Sequence, residues 1–478
     1  MTRKVEGAVL QPSYTRQLAE FAANLRLADV PADVVARAKE IILDGLGCGL
    51  FAANVKWTQI LGRVVTQLEP SGGQASIWGR GEKASAVSAA LMNGTMVQGY
   101  EIDDANQACF HACAVVLPAV FAAAEFVGAD KVDGKKLLTA IIAGFEIGPR
   151  VGLCLNGDEM IVKGWHAPGI FGSFPAAAAA GVVLGLSADQ HFHAQGIAGT
   201  QASGLMAAQF GSMVKRMQCA KNAQSGLYAA LLAAEGFTGI ENVFEEEYGG
   251  FCTTFTQSRD QFNLSELTKG LGQAWETMRI DVKRHSTLGT NFAAMDAVEV
   301  LMKDKGLKAA DVEQVLVKAT QATVSHGAWA YEPKGLTSAH MNLGFCVAMM
   351  LAEGKVFVDQ MVEANIARPD LVDLARRVKV VRDLEREAKG LQFARGAEVA
   401  VTLKNGEVLH QVMDFFVGSH HKPLSREQVL AKFRGLASRT LPASQVARIE
   451  AIVWDLEQAP SVMELCKVLG GESRSPRP

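Results

Sequence analysis

Apolar positions recur with helical spacing over the first half of the chain. From residue 13 to about residue 260, runs rich in alanine and leucine have the length of ordinary helices, and glycine, proline and Asn-Gly breaks separate them. A capping-box pattern at residues 187–190 predicts a helix start, and Gly236 after the run 229–235 predicts a helix end. The pattern therefore predicts an all-helical first half.

The pattern changes between about residues 275 and 405. Stretches of alternating apolar and polar residues at 312–319 and 396–403 predict strands, with helical patterns between them. The residues Lys-Asn-Gly-Glu at 404–407 predict a hairpin turn, and residues 408–417 predict the returning strand. This part of the chain is therefore predicted to be an α+β unit.

Amphipathic helices are predicted again after this unit, at residues 425–436 and 443–456. No internal repeat and no low-complexity linker separates the two kinds of pattern, which favours an insertion over a tethered module. We therefore predict a mainly α protein in which a smaller α+β domain is inserted into a large all-helical domain formed by both ends of the chain. The predicted boundaries are 1–274 plus 405–478 for the helical domain and 275–404 for the inserted domain.

Composition and charge exclude several partners. The 478 residues are 49% hydrophobic, which is enough for a sizeable core, and carry a formal net charge of -3. Lysine and arginine are spread without a basic run, so no nucleic-acid partner is predicted. The first residues contain no apolar region of the length that a secretory signal needs, which favours a cytoplasmic protein. Residues 164–188 lack charged side chains, but Pro168, Pro175 and His166 interrupt them, so no membrane span is predicted.

The cysteines favour a protein without a metal or cofactor. The 8 cysteines include no CxxC pair, which is typical of reduced cytosolic thiols. Cys109 and Cys113 flank His111 and could be drawn as a metal site, but small buried thiols are commoner, and we predict no metal. The cysteine spacing of an iron-sulfur hydratase is missing, as are a GxGxxG motif and a P-loop. The sequence therefore predicts catalysis without a cofactor.

Residues 93–118 contain the strongest candidate site. Here Glu101, Asp103, Asp104 and His111 lie between two apolar runs. Burying ionisable groups is costly unless they are paired or used in chemistry. Acidic residues before a helix are also common N-terminal caps, so a functional and a structural interpretation of this cluster both stay open.

Four segments, taken in order and with their spacing, resemble the MmgE/PrpD family, whose members include 2-methylcitrate dehydratase, cis-aconitate decarboxylase and iminodisuccinate epimerase. The segments are NGTMVQGYEIDDANQACFHACAVVLPA, GWHAPGIFGSFPAAAAAGVVLGL, GIAGTQASGLMAAQFGSMVKRMQCAKNAQSGLYAALLAAEGFTG and GSHHKPLSREQVLAKFRGLA. The resemblance spans nearly the whole chain. It implies a helical domain with an inserted α+β lid domain, a homodimer, and a small di- or tricarboxylate as substrate.

The resemblance also implies which residues form the site. The family's segment from its acidic pair to a histidine matches the cluster described above, and its two site lysines match Lys215 and Lys283. The predicted catalytic residues are His111, Asp103, Asp104, His166 and Lys215, and the predicted substrate-binding residues are Glu101, Lys283, Arg216 and His285.

Each predicted role has a chemical reason and a structural alternative. An imidazole titrates near pH ~6.5, and a neighbouring aspartate would fix its tautomer, so His111 is the first candidate for proton transfer. The alternative is a hydrogen-bonded core histidine. His166 could bind a carboxylate or close its own loop. Lys215 and Lys283 could clamp carboxylates or lie solvated on the surface.

The sequence departs from the family pattern at several site positions. Glu101 stands where a first aspartate is common, and Ala105 replaces the threonine of the DDT motif. The proline, cysteine and histidine expected after the second lysine are replaced within residues 285–292, which end in Phe292. Phe345 stands where several members have a site tyrosine. These changes leave the fold prediction untouched but bear on the substrate and the reaction.

We therefore predict a cytoplasmic, cofactor-independent lyase that acts on a small di- or tricarboxylic acid of the 2-methylcitrate/aconitate type, with dehydration ahead of decarboxylation. Such chemistry needs a group that moves protons and cations that stabilise charge on a carboxylate. An isomerase that exchanges a proton next to a carboxylate is the alternative, because Ala105, Phe292 and Phe345 remove polar groups. A third possibility is a non-catalytic helical binding protein.

Overall fold

The structure is a computed structural model that describes residues 13–471. Within these residues the chain is mainly helical, as predicted, and each helix has the apolar face or the fully apolar surface of a packed element. The helices are α1 (Tyr14–Asn24), α2 (Ala32–Phe51), α3 (Lys56–Leu68), α4 (Ala86–Val97), α5 (Ala112–Val127), α6 (Gly134–Leu155), α7 (Gly157–Val162), α8 (Ala167–Phe171), α9 (Ser173–Leu184), α10 (Ala188–Gly199), α11 (Gln218–Ala234), α12 (Phe251–Thr256), α13 (Phe292–Lys305), α14 (Gln321–Gly327), α15 (Leu336–Met341), α16 (Leu343–Glu353), α17 (Glu363–Ile366), α18 (Pro369–Arg376), α19 (Leu384–Ala388), α20 (Arg426–Ala437), α21 (Ala443–Trp454) and α22 (Met463–Gly470). The strands are β1 (Ala75–Ile77), β2 (Glu82–Ala84), β3 (Asp104–Ala105), β4 (Asp281–Val282), β5 (Val312–Ala319), β6 (Val378–Arg382), β7 (Ala397–Leu403) and β8 (Val408–Met413).

Helix α9 forms the centre of the helical core. It packs against α5, α6, α10 and α11, and its run of alanines is fully buried. Small side chains let these helices approach closely. A methyl group at Gly226 on α11 would lie 2.4 Å from the Ser173 carbonyl oxygen of α9, so only glycine fits at this crossing.

Local sequence signals set the helix ends where they were predicted. Ser187 and Gln190 form a reciprocal capping box at the start of α10. Helix α11 ends at Ala234, and Gly236 follows with a φ of +86°. The two closing helices, α20 and α21, likewise occupy the predicted segments.

The α+β unit contains a four-stranded sheet in the order β6-β5-β7-β8. Strand β5 runs parallel to β6 and antiparallel to β7, and β7 and β8 form the predicted hairpin. Strand β8 ends at Met413, short of the predicted residue 417. Because β7 and β8 pair in register, the sheet continues past the predicted boundary at residue 404, which falls inside the hairpin.

The first half of the chain is not entirely helical. Strands β1 and β2 form a short antiparallel hairpin, and β3 pairs with β4 from the second half of the chain. Each of these strands has only two or three residues, which is too short for a recognisable alternation. The division into two domains and the lid function of the inserted domain stay predictions.

Both ends of the chain contribute to the helical part. Helix α20 packs along α2, and α22 packs against β1 and α5. A buried ion pair between Lys432 of α20 and Asp44 of α2, at 2.7 Å, crosslinks this contact. The C-terminal helices therefore support the same core as the N-terminal ones.

Helix α6 is the one helix among residues 13–471 with the length and hydropathy of a membrane span. Within the fold, 94% of its apolar window is buried. It also carries the buried pair Glu146 and Arg150, whose nitrogen and oxygen atoms lie 3.0 Å apart. A core helix of this kind passes the same length and composition test.

His191 on α10 gives the fold a measurable sensitivity to acid. It is fully buried, and neither ring nitrogen has a hydrogen-bond partner within the described part of the chain. Burial lowers the pKa of His191 from 6.5 to about 4, so the native state binds fewer protons than the unfolded chain. The stabilising contribution is therefore present above pH 6.5 and is lost as the pH falls towards 4.

The free energy of unfolding of the wild type should fall when the pH is lowered from 7 to 5. In the His191→Gln variant we expect this fall to be smaller by about 2 kcal/mol. Urea titrations at the two pH values measure this difference. His410→Gln, on the exposed side of β8, is the control and should leave the decrease unchanged. An unaltered decrease in the His191 variant would show that this ring does not titrate in the range.

Candidate active site

The loop after α4 holds Glu101 in a strained conformation. Its backbone φ is +51°, in the left-handed region that residues with side chains rarely adopt. Hydrogen bonds hold the flanking carbonyls: Ser286 Oγ donates to Tyr100 at 2.5 Å, and Lys432 Nζ donates to Ile102 at 2.5 Å. The chain therefore fixes the Glu101 backbone from both sides.

The pairing of β3 with β4 joins the two halves of the chain at this loop. Asp104 lies opposite Val282, and the Lys283 amide donates to the Asp103 carbonyl at 3.3 Å. Lys283 consequently leaves β4 directly beside Asp103. A two-residue ladder thus places a lysine from the second half next to the acidic loop of the first half.

Five side chains form a continuous row in which acidic and basic groups alternate. Asp103 contacts His111 Nδ1 through Oδ2 at 2.8 Å and Lys283 Nζ through Oδ1 at 3.1 Å. Lys283 Nζ lies 3.4 Å from Glu101 Oε2, and Lys215 Nζ donates to Glu101 Oε1 at 3.0 Å. All of these side chains except His111 are at most 2% exposed. Buried charges of this kind are stable only because each has an opposite partner.

Arg216 supports this row from behind. Its Nη1 donates to Glu101 Oε1 at 3.1 Å, and its Nη2 lies 3.1 Å from His340 Nδ1. The other ring nitrogen of His340 lies 3.2 Å from Ser286 Oγ. Burial and the charge of Arg216 lower the pKa of His340 to about 3, so this imidazole is neutral at pH 7.

The network sets the charge of its members. Burial alone would raise the pKa of Glu101, but Lys215, Lys283 and Arg216 outweigh it and hold that pKa well below its usual range. Burial would lower the pKa of Lys283, but Asp103 and Glu101 outweigh it and raise that pKa. Around neutral pH, the glutamate is therefore an anion and the lysine is a cation.

Two histidines face each other across this network. His111 precedes the first turn of α5, His166 precedes α8, and their ring centroids lie 6.2 Å apart. His111 uses Nδ1 for Asp103, which leaves Nε2 for a bound molecule. Burial and the charge of Lys215 hold the pKa of His166 well below its usual range, and its Nδ1 has no partner among residues 13–471. His166 is therefore a neutral imidazole with a free nitrogen.

A small cavity of about 40 Å³ separates these groups, with room for roughly three water molecules. Its walls come from the first half of the chain and from the α+β unit. The lining residues are Glu101, Ala105, Cys109, Phe110, His111, Ile161, His166, Pro168, Lys215, Lys283, Leu288, Gly289, Thr290, His326 and Arg395.

The structure brings most of the predicted site residues together. Glu101, His111, His166, Lys215 and Lys283 line the cavity. Asp103 and Arg216 lie directly behind this wall, where they contact its charged side chains. Asp104 and His285 point away from the cavity.

Asp104 caps α5 instead of facing the cavity. Its carboxylate accepts hydrogen bonds from the amides of Ala112 at 2.6 Å and Cys113 at 2.8 Å. Burial and the charge of Asp103 raise the pKa of Asp104 to about 6. This geometry matches the capping alternative and gives the predicted catalytic role no support.

Asp104→Ala would leave two buried amides without an acceptor, and we expect the free energy of unfolding to fall by about 2 kcal/mol. Asp104→Asn retains one acceptor oxygen, so it should lose less stability than the alanine variant. It should also keep kcat within about tenfold of the wild type, since a cap needs no ionisable group. A loss of more than about 100-fold in the folded asparagine variant would instead indicate proton transfer by Asp104.

His285 is oriented towards the α+β unit and away from the cavity. Its Nε2 lies 3.2 Å from Asp296 Oδ1, and its ring packs edge-on against Phe292. The same aspartate binds Arg284 and accepts from the Val417 amide at 2.7 Å. His285 is thus part of a buried packing network, and the predicted contact with substrate has no geometric basis.

The departures from the family pattern have separate structural consequences. Ala105 lines the cavity, so the replacement of the family's threonine removes a hydroxyl group from the cavity wall. Phe292 packs between His285 and Phe416, and Phe345 stacks on Tyr331 with centroids 4.4 Å apart. Neither phenylalanine reaches the cavity.

The cavity also contains residues whose role the sequence did not predict. Arg395 precedes β7 and His326 lies in the last turn of α14. Burial and the charge of Lys215 lower the pKa of His326 to about 3, and both of its ring nitrogens lack hydrogen-bond partners in the described chain. No local pattern marks either residue, because only the tertiary fold brings them to the cavity.

The thiols considered as metal ligands point in different directions. Cys113 Sγ donates to the Ile41 carbonyl at 3.3 Å, whereas Cys109 Sγ lies 2.9 Å from Asp158 and 3.3 Å from Arg395 Nη2. Among residues 13–471, no three histidine, cysteine or acidic side chains are grouped as metal ligands would be.

Comparison with known proteins assigns the chain to a family. The MmgE/PrpD N-terminal domain matches residues 16–263, and the MmgE/PrpD C-terminal domain matches residues 285–458. The chain belongs to the MmgE/PrpD family. The resemblance predicted from the sequence motifs is thereby confirmed.

Curated relatives match the MmgE/PrpD chain over nearly its full length. The cis-aconitate decarboxylase-like protein oryM of Aspergillus oryzae is 36% identical over 98% of this chain and 99% of its own. A cis-aconitate decarboxylase of Aspergillus terreus is 32% identical over 100% of both chains. Human cis-aconitate decarboxylase is 27% identical over 98% of this chain and 95% of its own. These relationships identify the protein as an enzyme, a lyase of the MmgE/PrpD type, as predicted.

Proposed function

We propose that this protein is a decarboxylase that converts cis-aconitate, or a closely related tricarboxylic acid, to an unsaturated dicarboxylate and carbon dioxide. The observation that carries the proposal is the His111–Asp103 pair, whose histidine lines one cavity together with two lysines. The sequence analysis ranked dehydration ahead of decarboxylation. The names of the curated relatives support decarboxylation instead.

The chemistry asks for two things that this cavity contains. Breaking the bond from the saturated carbon of cis-aconitate to its carboxylate releases carbon dioxide and leaves an electron pair. That pair spreads over the neighbouring double bond into the conjugated carboxylate, where negative charge accumulates. Fixed cations next to this carboxylate lower the barrier, because they are already oriented when the charge develops. Lys215 and Lys283 are such cations, each held by Glu101.

A proton must then be added at the far carbon of the former double bond, which yields a terminal methylene group. His111 is the proposed donor, because Asp103 holds its Nδ1, orients the ring and leaves Nε2 free for the substrate. His166 is neutral and has a free nitrogen, so it serves as a hydrogen-bond partner for a substrate carboxylate. None of these steps requires an electron carrier, and the proposal is for a cofactor-independent reaction.

The proposal includes a homodimer in the cytoplasm. Apolar side chains are exposed on the segment that leads to Lys215, where Leu205 is 61%, Phe210 47% and Val214 45% exposed. Exposed apolar groups of this kind are typical of a surface that another chain covers. Light scattering of the purified protein measures the assembly directly.

Proton NMR in heavy water tests the reaction. Cis-aconitate should lose its signals while the two vinyl signals of a terminal methylene group appear. The adjacent CH2 group should carry one deuterium from the solvent, and the vinyl group should carry none. Deuterium in the vinyl group would contradict the proposed protonation site, since it would place the lost carboxylate on the double bond.

The same experiment separates the alternatives. Aconitate signals that appear from citrate would indicate a dehydratase. Exchange next to a carboxylate without any new olefin would indicate an isomerase. No change with any of these acids would contradict the proposal and favour a binding protein.

A further inference from the structure

Arg395 lines the cavity without an ion pair to a carboxylate, the partner that a partly buried arginine usually has. The side chain is half-buried, and its one hydrogen bond runs from Nη2 to Cys109 Sγ at 3.3 Å. No carboxylate of residues 13–471 lies within 4.0 Å of the guanidinium. A thiol is a weak acceptor, so most of the five donors of Arg395 remain available to a bound anion.

Thr290 provides a second free donor in the same wall. The residue is 5% exposed, and its Oγ1 has no hydrogen-bond partner in the described structure. Buried hydroxyl groups without a partner are uncommon in native proteins and indicate a missing ligand or water. Because Thr290 also lines the cavity, its hydroxyl is available to a molecule that enters there.

Gly289 makes room for the guanidinium. A methyl group at this position would lie 2.9 Å from Arg395 Nη1 and 3.5 Å from the Ala105 methyl group. Glycine at position 289 therefore permits the arginine to reach the cavity. The turn Gly289–Asn291 leads directly into α13 and so fixes Gly289 at the cavity.

The charges on the cavity wall favour a substrate with more than one carboxylate. Lys215, Lys283 and Arg395 are cations, and Glu101 is the one carboxylate among the lining residues. The glutamate is shared by the two lysines, whereas Arg395 forms no ion pair within the described residues and is influenced by Asp158 and Asp281 only from a distance. An incoming carboxylate at Arg395 would complete the pairing of charges.

We propose that Arg395, Thr290 and the turn at Gly289 form a subsite that binds a carboxylate retained in the product. This inference rests on the proposed function and defines its substrate class further. The lysines act on the part of the substrate that reacts, and Arg395 holds a second carboxylate. Monocarboxylic acids are consequently poor ligands, and tricarboxylic acids are good ones.

Calorimetric binding of tricarballylate, a saturated tricarboxylate that cannot undergo the reaction, tests the subsite without turnover. We expect Arg395→Met to raise the Kd by about 10- to 100-fold, and Arg395→Lys to recover part of the loss because it keeps the charge but not the bidentate fork. Gly289→Ala should weaken binding in the same direction, since it displaces the guanidinium. Arg382→Met is the matched control and should bind like the wild type. Arg382 lies on β6, and its replacement removes only a surface ion pair with Glu387.

The outcomes are distinct from those of the activity test. If wild-type protein binds tricarballylate and the Arg395 variants do not, the subsite stands even when cis-aconitate is not decarboxylated. If folded Arg395→Met binds within twofold of the wild type, or differs from it only in melting temperature, the arginine is structural and the inference is wrong. Absence of binding to the wild type would also overturn it.

Discussion

Replacing His111 with alanine is expected to lower kcat for decarboxylation by about 10²- to 10⁴-fold, the usual contribution of a positioned proton donor. His111 is the cavity residue whose ring is oriented by a buried aspartate, with Nδ1 2.8 Å from Asp103. The carbanion formed on loss of carbon dioxide would lack its proposed proton donor. Steady-state rates from the vinyl NMR signals measure the change.

The matched control for this experiment is His410→Ala. His410 lies on β8 with 52% of its side chain exposed and pairs with Glu398 on the surface. This variant should retain full activity. If His111→Ala is folded and turns over at the wild-type rate, proton transfer by His111 is excluded.

Replacing Lys283 with methionine is expected to affect both stability and catalysis. Lys283 contacts Asp103 and Glu101, which are both fully buried, so its loss leaves one carboxylate without a cation and weakens the pairing of the other. Breaking a buried ion pair in this way costs about 3–5 kcal/mol of unfolding free energy. We also expect kcat to fall by about 100-fold or more, because a cation that stabilises the developing charge is removed. Urea unfolding and steady-state kinetics measure the two effects.

A second substitution separates these effects. Asp103→Asn removes the carboxylate that Lys283→Met leaves unpaired, while Glu101 keeps Lys215 and Arg216. The double variant should therefore regain part of the lost stability but none of the activity. Equal stability of the single and double variants would show that the pair contributes little, and recovery of activity would show that Lys283 has only a structural role.

Much of the fold could be predicted from local patterns. The capping box at Ser187 and the alternation in β5 each place an element through interactions within a few residues. The hairpin of β1 and β2 could not be predicted in this way, because strands of three residues have too few positions for a period. The predicted boundary at residue 404 falls between the paired strands β7 and β8, since a hairpin turn looks the same inside a domain and at its edge.

From the residues alone, the site was predictable only within residues 93–118, and the distant Lys215 and Lys283 were predicted from the family resemblance. Asp103 and Asp104 are neighbours in the chain, yet one orients His111 and the other caps α5. Asp103 precedes β3 and Asp104 begins it, and only the opposite directions of their side chains distinguish them. Arg395 lies 286 residues from Cys109, its hydrogen-bond partner, and no periodic signal connects positions that far apart. A desolvated arginine becomes recognisable as a candidate only when its surroundings are known.

The cavity of about 40 Å³ has room for roughly three water molecules, fewer than the groups that a tricarboxylic acid would bring into it. Its walls belong to segments separated by long stretches of chain, such as the loop at Glu101 and the turn at Gly289, and these must move apart before substrate enters. Each encounter therefore waits for an opening event, and capture becomes a gated process. We expect kcat/KM to lie well below the diffusional ceiling of about 10⁸–10⁹ M⁻¹s⁻¹ and to be insensitive to added viscogen.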